Sequence, residues 1–222
     1  MNSYSACIDF DGTVCIPDSC DYLLSRFAPD EWKALDDAVW RGELTEREAF
    51  PRQIELLRVT WEDARKALCE GVRIREGFAE FVEFCRVHAL PLMILSGGLK
   101  PLIAELLRKA GVPDVPFISH GAEITGERWN VVLWEGTRYG EHCSHCKCSY
   151  LFTEKRLGRN IIYIGDGYTD LCPAQHADVL FATGNLAREC AKAGRPFIPF
   201  ETFMDIERRL ESLFHSEQDL RR

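Results

Sequence analysis

Short apolar runs at 6–10, 91–95, 116–119, 160–164, 178–181 and 196–199 alternate with amphipathic segments along most of the chain. The runs predict strands, and the segments between them predict helices. The helical period is plain in Phe78, Phe81, Val82 and Cys85, in Leu102, Ile103, Leu106 and Leu107, and in Phe203, Ile206, Leu210 and Leu213. Each of these sets forms one apolar stripe that can lie against a sheet. The pattern predicts the α/β class, with a doubly wound, Rossmann-like parallel sheet.

Two stretches break the alternation. Residues 18–71 carry only helical patterns, and capping-box-like starts at Thr45…Glu48 and Thr60…Asp63 open two of them. We therefore expect an α/β core of residues 1–16 and 74–215, with an inserted helical cap at 17–73. Within the core, 120–146 reads as a flap or hairpin followed by a cysteine-rich loop: Gly121, Gly126, Gly136 and Gly140 surround a β-like run from Trp129 to Trp134.

Composition narrows the function classes. The 222 residues carry 27 basic and 35 acidic side chains, a net charge of −8, so there is no broad positive field for nucleic acid or an anionic membrane. An anionic substrate would need local cations or a metal. No apolar run approaches the roughly 20 residues that span a bilayer, and Met1 to Ala6 lack the basic start and apolar core of an export signal. The expectation is a cytoplasmic protein with no membrane or nucleic-acid partner; the sequence leaves its oligomeric state open. Seven of the ten cysteines are scattered and read as apolar thiols, while Cys143, Cys146 and Cys148 form a cluster.

The candidate chemistry lies at the ends of the strands. The first run ends in Asp9-Phe10-Asp11-Gly12-Thr13. Side chains two apart on a strand share a face, so Asp9 and Asp11 should project together from the carboxyl edge, where open α/β sheets bind ligands. Such a pair is costly unless a cation or a shared proton relieves it. A plain polar strand end is the alternative. Ser96-Gly97-Gly98, after the second run, offers a hydroxyl and approachable backbone N–H groups for a phosphate oxygen, or else an ordinary turn. The run at 160–164 leads into Asp166 and, one helical turn on, Asp170. Their hard oxygens suit Mg²⁺, although Asp166 could simply cap a helix. Lys147 opens an amphipathic segment just before that run and is preferred as the missing cation over Lys155, which sits beside Arg156 near a helix end.

Taken in order, Asp9-Phe10-Asp11-Gly12-Thr13, Ser96-Gly97-Gly98, Lys147 and Asp166…Asp170 resemble the four motifs of the haloacid dehalogenase superfamily of phosphohydrolases. The resemblance covers the whole core, and the helical insert is similar to that superfamily's first cap type. It implies a phosphomonoesterase acting on a small phosphorylated metabolite. Asp9 would be the nucleophile that forms an aspartyl-phosphate, and Asp11 the general acid and base. Mg²⁺ would be held by Asp9, the Asp11 carbonyl and Asp166, with support from Asp170. Thr13, Ser96, Gly97 and Lys147 would hold phosphate oxygens.

Further points narrow the likeness to the phosphoserine-phosphatase-like branch, and within it to the 2-hydroxy-3-keto-5-methylthiopentenyl-1-phosphate phosphatases of methionine salvage. They are Phe27-Ala28-Pro29-Asp30-Glu31-Trp32, Ile74-Arg75-Glu76-Gly77-Phe78, the cysteines running into Lys147, and Asp166…Thr169-Asp170. Phosphoserine phosphatases hold their substrate with a cap Glu and Arg. Here Asp18 stands near the first position, while Arg52 and Gln53 straddle the second, and we take Asp18 and Arg52 as substrate-binding candidates. Asp170-Leu171-Cys172-Pro173 and the cysteine-rich lead-in to Lys147 are similar to phosphocholine and phosphoethanolamine phosphatases. Cys143, Cys146 and Cys148 read either as structural or redox-sensitive thiols or as Zn²⁺ ligands. In the latter case the chain could be a non-catalytic zinc or redox sensor on a phosphatase fold.

Overall fold

The structure, a computed structural model, describes residues 4–136 and 146–219, without the side chains of Trp40 and of 216–219. The strands are β1 (Tyr4–Ile8), β2 (Cys15–Ile16), β3 (Arg73–Ile74), β4 (Leu92–Leu99), β5 (Phe117–Thr125), β6 (Arg128–Val132), β7 (Asn160–Gly165), β8 (Val179–Ala182) and β9 (Ile198–Pro199). Four helices follow β2: α1 (Ser19–Phe27), α2 (Glu31–Trp40), α3 (Glu46–Ile54) and α4 (Trp61–Gly71). The others are α5 (Phe78–Val87), α6 (Lys100–Lys109), α7 (Cys148–Arg156), α8 (Leu171–Ala174), α9 (Gly184–Lys192) and α10 (Phe203–Asp219).

Seven strands form one sheet in the order β6-β5-β4-β1-β7-β8-β9, parallel except for the β5–β6 hairpin. Period-two alternation divides its side chains between two cores. Ala6, Ile8, Ile94, Ile162, Ile164 and Phe181 pack with Phe81 of α5, Leu102 of α6 and Ile206 of α10. Cys7, Leu95, Ile161, Tyr163, Leu180 and Ala182 face the other way, toward Leu151 of α7, Ala174 of α8 and Leu186 of α9. Helices on both sides explain why these strands read as continuous apolar runs.

The register brings the strand ends together. Ile8 lies opposite both Ile94 and Ile164, so the residues following β1, those at the end of β4 and those following β7 emerge side by side at one edge. Strand β1 ends at Ile8, two residues earlier than the apolar run suggests. Strand alternation therefore does not pair Asp9 with Asp11. A tight turn does so: Val14 and Cys15 both donate to the Phe10 carbonyl, and Gly12 takes a left-handed φ of 82°.

Helices α1 to α4 leave the edge through β2 and return through β3, two short strands paired antiparallel. Their starts are written in the sequence: Asp18 accepts from the Cys20 and Asp21 amides, Thr45 and Glu48 form a complete capping box, and Thr60 accepts from the Asp63 amide. The run near 116–119 extends to Thr125 and turns back at Gly126 into β6. Trp129 of this hairpin is buried and donates from Nε1 to the Val59 carbonyl at 2.8 Å, which ties the hairpin to the start of α4. Among the described residues no helix is long and apolar enough to cross a membrane.

Candidate active site

A cavity of about 300 Å³ lies at the carboxyl edge of the sheet, between the strand ends and helices α1, α2 and α3. Asp9, Asp11, Ser96, Gly97 and Asp166 line it on the sheet side. These residues, more than 60 apart in sequence between motifs, meet because β1, β4 and β7 are adjacent and in register.

Each side chain is held. The Asp11 carboxylate accepts from the Ser19 amide at 2.8 Å and the Ser19 hydroxyl at 2.6 Å, while its second oxygen lies 3.4 Å from Ser96 Oγ. Ser96 Oγ accepts from the Gly98 amide at 2.8 Å, which aims its remaining donor. Gly98 leaves room for this arrangement, because a Cβ there would stand 2.5 Å from Asp11 Oδ2 and displace it. Behind this wall Lys147 is buried, with Nζ 2.5 Å from Asp9 Oδ1, 2.7 Å from Asp170 Oδ1 and 3.3 Å from Thr169 Oγ1. Lys155 instead pairs with Asp178 at the surface, 3.0 Å away.

Asp170 does not line the cavity. It is fully buried and accepts four hydrogen bonds: from Lys147, from the Tyr163 hydroxyl at 2.6 Å, and from the Asp166 and Gly167 amides at 3.0 Å each. It orients the loop that carries Asp166. Thr13, expected at a phosphate oxygen, does not line the cavity either. Its hydroxyl donates to Asp166 Oδ1 at 2.9 Å, since the turn at Gly12 swings it across the strand end.

The electrostatics point to a cation. Burial pushes the Asp9 carboxyl well above its ordinary range; Lys147 pulls it down, and Asp170 and Asp166 push it up again. Burial, with Asp170 close by, raises Asp166 to about 6. Burial opposes the Lys147 charge, yet Asp170 and Asp9 outweigh it and keep the ammonium protonated. Oxygens of Asp9, Asp166 and Asp170 all lie within 4.8 Å of one another, and Lys147 pairs with two of the three, so the carboxylates crowd one spot with a single ammonium among them. The hard donors, and the upward push that burial and mutual repulsion put on Asp9 and Asp166, fit a divalent cation such as Mg²⁺.

On the helical side, Glu46, Ala49, Phe50 and Gln53 line the cavity from one face of α3, at the helical spacing of three and four. Arg52 is exposed in the last turn of that helix, roughly 100° around from Gln53, and does not line the cavity. Of the two residues that straddle this position in the sequence, the buried Gln53 occupies the wall. Asp18 does line the cavity while capping α1.

Sequence reasoning missed several supports. Ser19 carried no motif signal. Tyr163 read only as an apolar strand residue. Half-buried Arg75 holds the turn after Asp11, donating to the Gly12 and Thr13 carbonyls at 2.6 and 2.7 Å. Its one signal was its place in Ile74-Arg75-Glu76-Gly77-Phe78, which marked a likeness and gave it no role.

Of the cysteine cluster, Cys143 lies outside the described residues. Cys146 and Cys148 are both buried. Cys148 meets Cys172 and His176, residues that read as a scattered apolar thiol and a packing or surface imidazole.

With this geometry in hand, comparison with known proteins is decisive. The model of the haloacid dehalogenase-like hydrolase family matches residues 6–175. The chain belongs to the haloacid dehalogenase-like hydrolases. This hydrolase is 33% identical over 202 residues to the 2-hydroxy-3-keto-5-methylthiopentenyl-1-phosphate phosphatase of Geobacillus kaustophilus, covering 89% of this chain and 91% of the relative. It is 30% identical over 217 residues to Pdp3-interacting factor 1 of Schizosaccharomyces pombe, covering 94% and 95%. A substrate-bound phosphoserine phosphatase complex superposes with a TM-score of 0.69 at 20% identity, over 93% of this chain and 98% of that one. The chain is thus a phosphatase of this family, similar to the methionine-salvage enzymes and folded like phosphoserine phosphatase.

Proposed function

We propose that this hydrolase cleaves a small phosphomonoester through a covalent intermediate on Asp9. The convergence of Asp9, Asp11, Ser96 and Asp166 on one cavity, with Lys147 paired to Asp9, carries this reading. An Asp9 oxygen attacks phosphorus, the P–O bond to the alcohol breaks, and Asp11 gives its proton to the leaving oxygen. Asp11 then takes a proton from water as the water attacks phosphorus. The Asp9–P bond breaks, and inorganic phosphate leaves.

The hydrogen bonds fit these roles. Ser19 fixes one Asp11 oxygen, so the other faces the cavity beside Ser96, where a leaving group would stand. Ser96 holds a phosphoryl oxygen, and Lys147 keeps Asp9 oriented. A divalent metal held by Asp9, Asp166 and the Asp11 carbonyl would supply charge neutralisation for the phosphoryl oxygens.

Identity to named methionine-salvage phosphatases favours a methylthiopentenyl phosphate as substrate. One observation favours a second reading. Asp18, Asp21, Asp36 and Glu46 stand on the helical wall, and no described lysine or arginine lines the cavity. Burial and neighbouring carboxylates push Asp18 well above its ordinary range and Asp21 to about 6, a strain that an alcohol carrying a cation, as in phosphoethanolamine or phosphocholine, would relieve and the carboxylate of phosphoserine would worsen.

The test is Mg²⁺-dependent phosphate release from all four esters by the full chain, with Asp9→Asn as blank. A single preferred ester, with no release by the mutant, is expected. Release from none would overturn the proposal.

A further inference from the structure

Outside the active-site cavity, one group of side chains has the chemistry of a soft-metal site. Cys172 and His176 lie four residues apart on the helical turn that begins with α8, so they project from one face. Cys148, the first residue of α7, approaches from across the interface between the two helices. Its Sγ is 3.2 Å from Cys172 Sγ, and the sulfurs and an imidazole nitrogen of His176 all lie within 4.8 Å of one another. The Phe152 ring packs edge-on against the imidazole, with centroids 4.7 Å apart, and limits its orientation.

We propose that Cys148, Cys172 and His176 bind a thiophilic divalent cation of the Zn²⁺ class, separate from the oxygen site around Asp9 and Asp166. Two thiolates on one tetrahedral zinc stand about 3.8 Å apart and an imidazole nitrogen slightly closer, so the group needs only a small spreading to receive the ion. The imidazole distinguishes this reading from a dithiol pair: a disulfide between Cys148 and Cys172 has no use for His176, whereas a zinc site requires a third ligand. The set also differs from the grouping of Cys143, Cys146 and Cys148 that the sequence suggests.

Its position gives the site a consequence. Cys148 directly follows Lys147, and Cys172 comes two residues after Asp170. Those two active-site residues already bond through their side chains at 2.7 Å. A cation bridging Cys148 to Cys172 and His176 would cross-link the same two segments a second time, beside that buried ion pair.

The test uses the full chain, kept reduced and in excess Mg²⁺ so that the oxygen site is occupied. It is titrated with Zn²⁺ against a chromophoric chelator, and in parallel with Co²⁺. The expected result is one equivalent bound per chain, a thiolate-to-cobalt charge-transfer band in the near ultraviolet, and a higher melting temperature with Zn²⁺. Cys172→Ser and His176→Ala should each weaken Zn²⁺ binding by about 100-fold, while Cys190→Ser leaves it unchanged. The wild-type cobalt spectrum stands whether or not the variants fold. Absence of that band would overturn the proposal, as would zinc binding that survives both substitutions. A Cys148–Cys172 disulfide in the untreated protein, with no metal bound after reduction, would overturn it in favour of a redox pair.

Discussion

Lys147 Nζ lies 2.7 Å from Asp170 Oδ1, and the two side chains are 2% and 0% exposed. Removing Asp170 leaves Lys147 with Asp9 as its remaining anion, and breaking a buried pair costs up to roughly 3–5 kcal/mol. Asp170→Ala also orphans the Tyr163 hydroxyl and two backbone amides, whereas Asp170→Asn keeps an oxygen for some of these donors. Denaturant unfolding should therefore show Asp170→Ala less stable than Asp170→Asn, and both less stable than wild type. Equal, small losses would contradict the assignment.

Gly98→Ala isolates the placement of Asp11. The new Cβ would meet Asp11 Oδ2 at 2.5 Å and Ser96 Oγ at 3.1 Å, and the site is not one of positive φ. Displacing a proton-transfer group by about 1 Å costs on the order of 100-fold in rate. We expect kcat to fall by about that factor with little change in melting temperature. A kcat like that of wild type would show that Asp11 needs no such placement.

Gln53 and Arg52 test which face of α3 meets the substrate. Arg52→Ala should leave KM and kcat unchanged, while Gln53→Ala should raise KM several-fold, as read by initial rates on the preferred ester. The reverse ordering would restore the sequence-based assignment.

His120 predicts a pH dependence of stability. It is fully buried, with Nδ1 accepting from the Trp134 amide at 2.9 Å. Burial first, and then the nearby Arg47 charge, lower its pKa from 6.5 to about 4. The unfolded chain takes up this proton as pH falls below 6.5 and the folded chain only near 4, so the stability from neutral His120 is lost across that window. Between pH 7 and 4.5 the wild type should lose roughly 2–3 kcal/mol more than His120→Gln in urea melts. Parallel losses in the two proteins would contradict this.

What the sequence made legible follows from which physical relations are local. Apolar runs fixed by two-sided burial located the strands of the large sheet, and ordered motifs at their ends located Asp9, Asp11, Ser96 and Asp166 before any register was known. The order of elements also separated Lys147 from Lys155. Helix phase was not legible: Arg52 and Gln53 are neighbours in sequence, and only the packing of α3 on the cavity decides between them. Thr13 read as a phosphate ligand because its turn toward Asp166 depends on β7, more than 140 residues away. Cys172 and His176 carried a four-residue spacing, but Cys148, which meets them, belongs to a different element, so along the sequence only the compact cysteine cluster stood out as a place where thiols or a metal could act.

The central claim is that Asp9 carries the phosphoryl group. Acid-quenching the full chain during turnover of the preferred ester, followed by peptide mass spectrometry, tests it directly. The account predicts a hydroxylamine-labile phosphoryl adduct on the peptide containing Asp9, absent from folded Asp9→Asn. An adduct on a different residue, or turnover by folded Asp9→Asn, would contradict it.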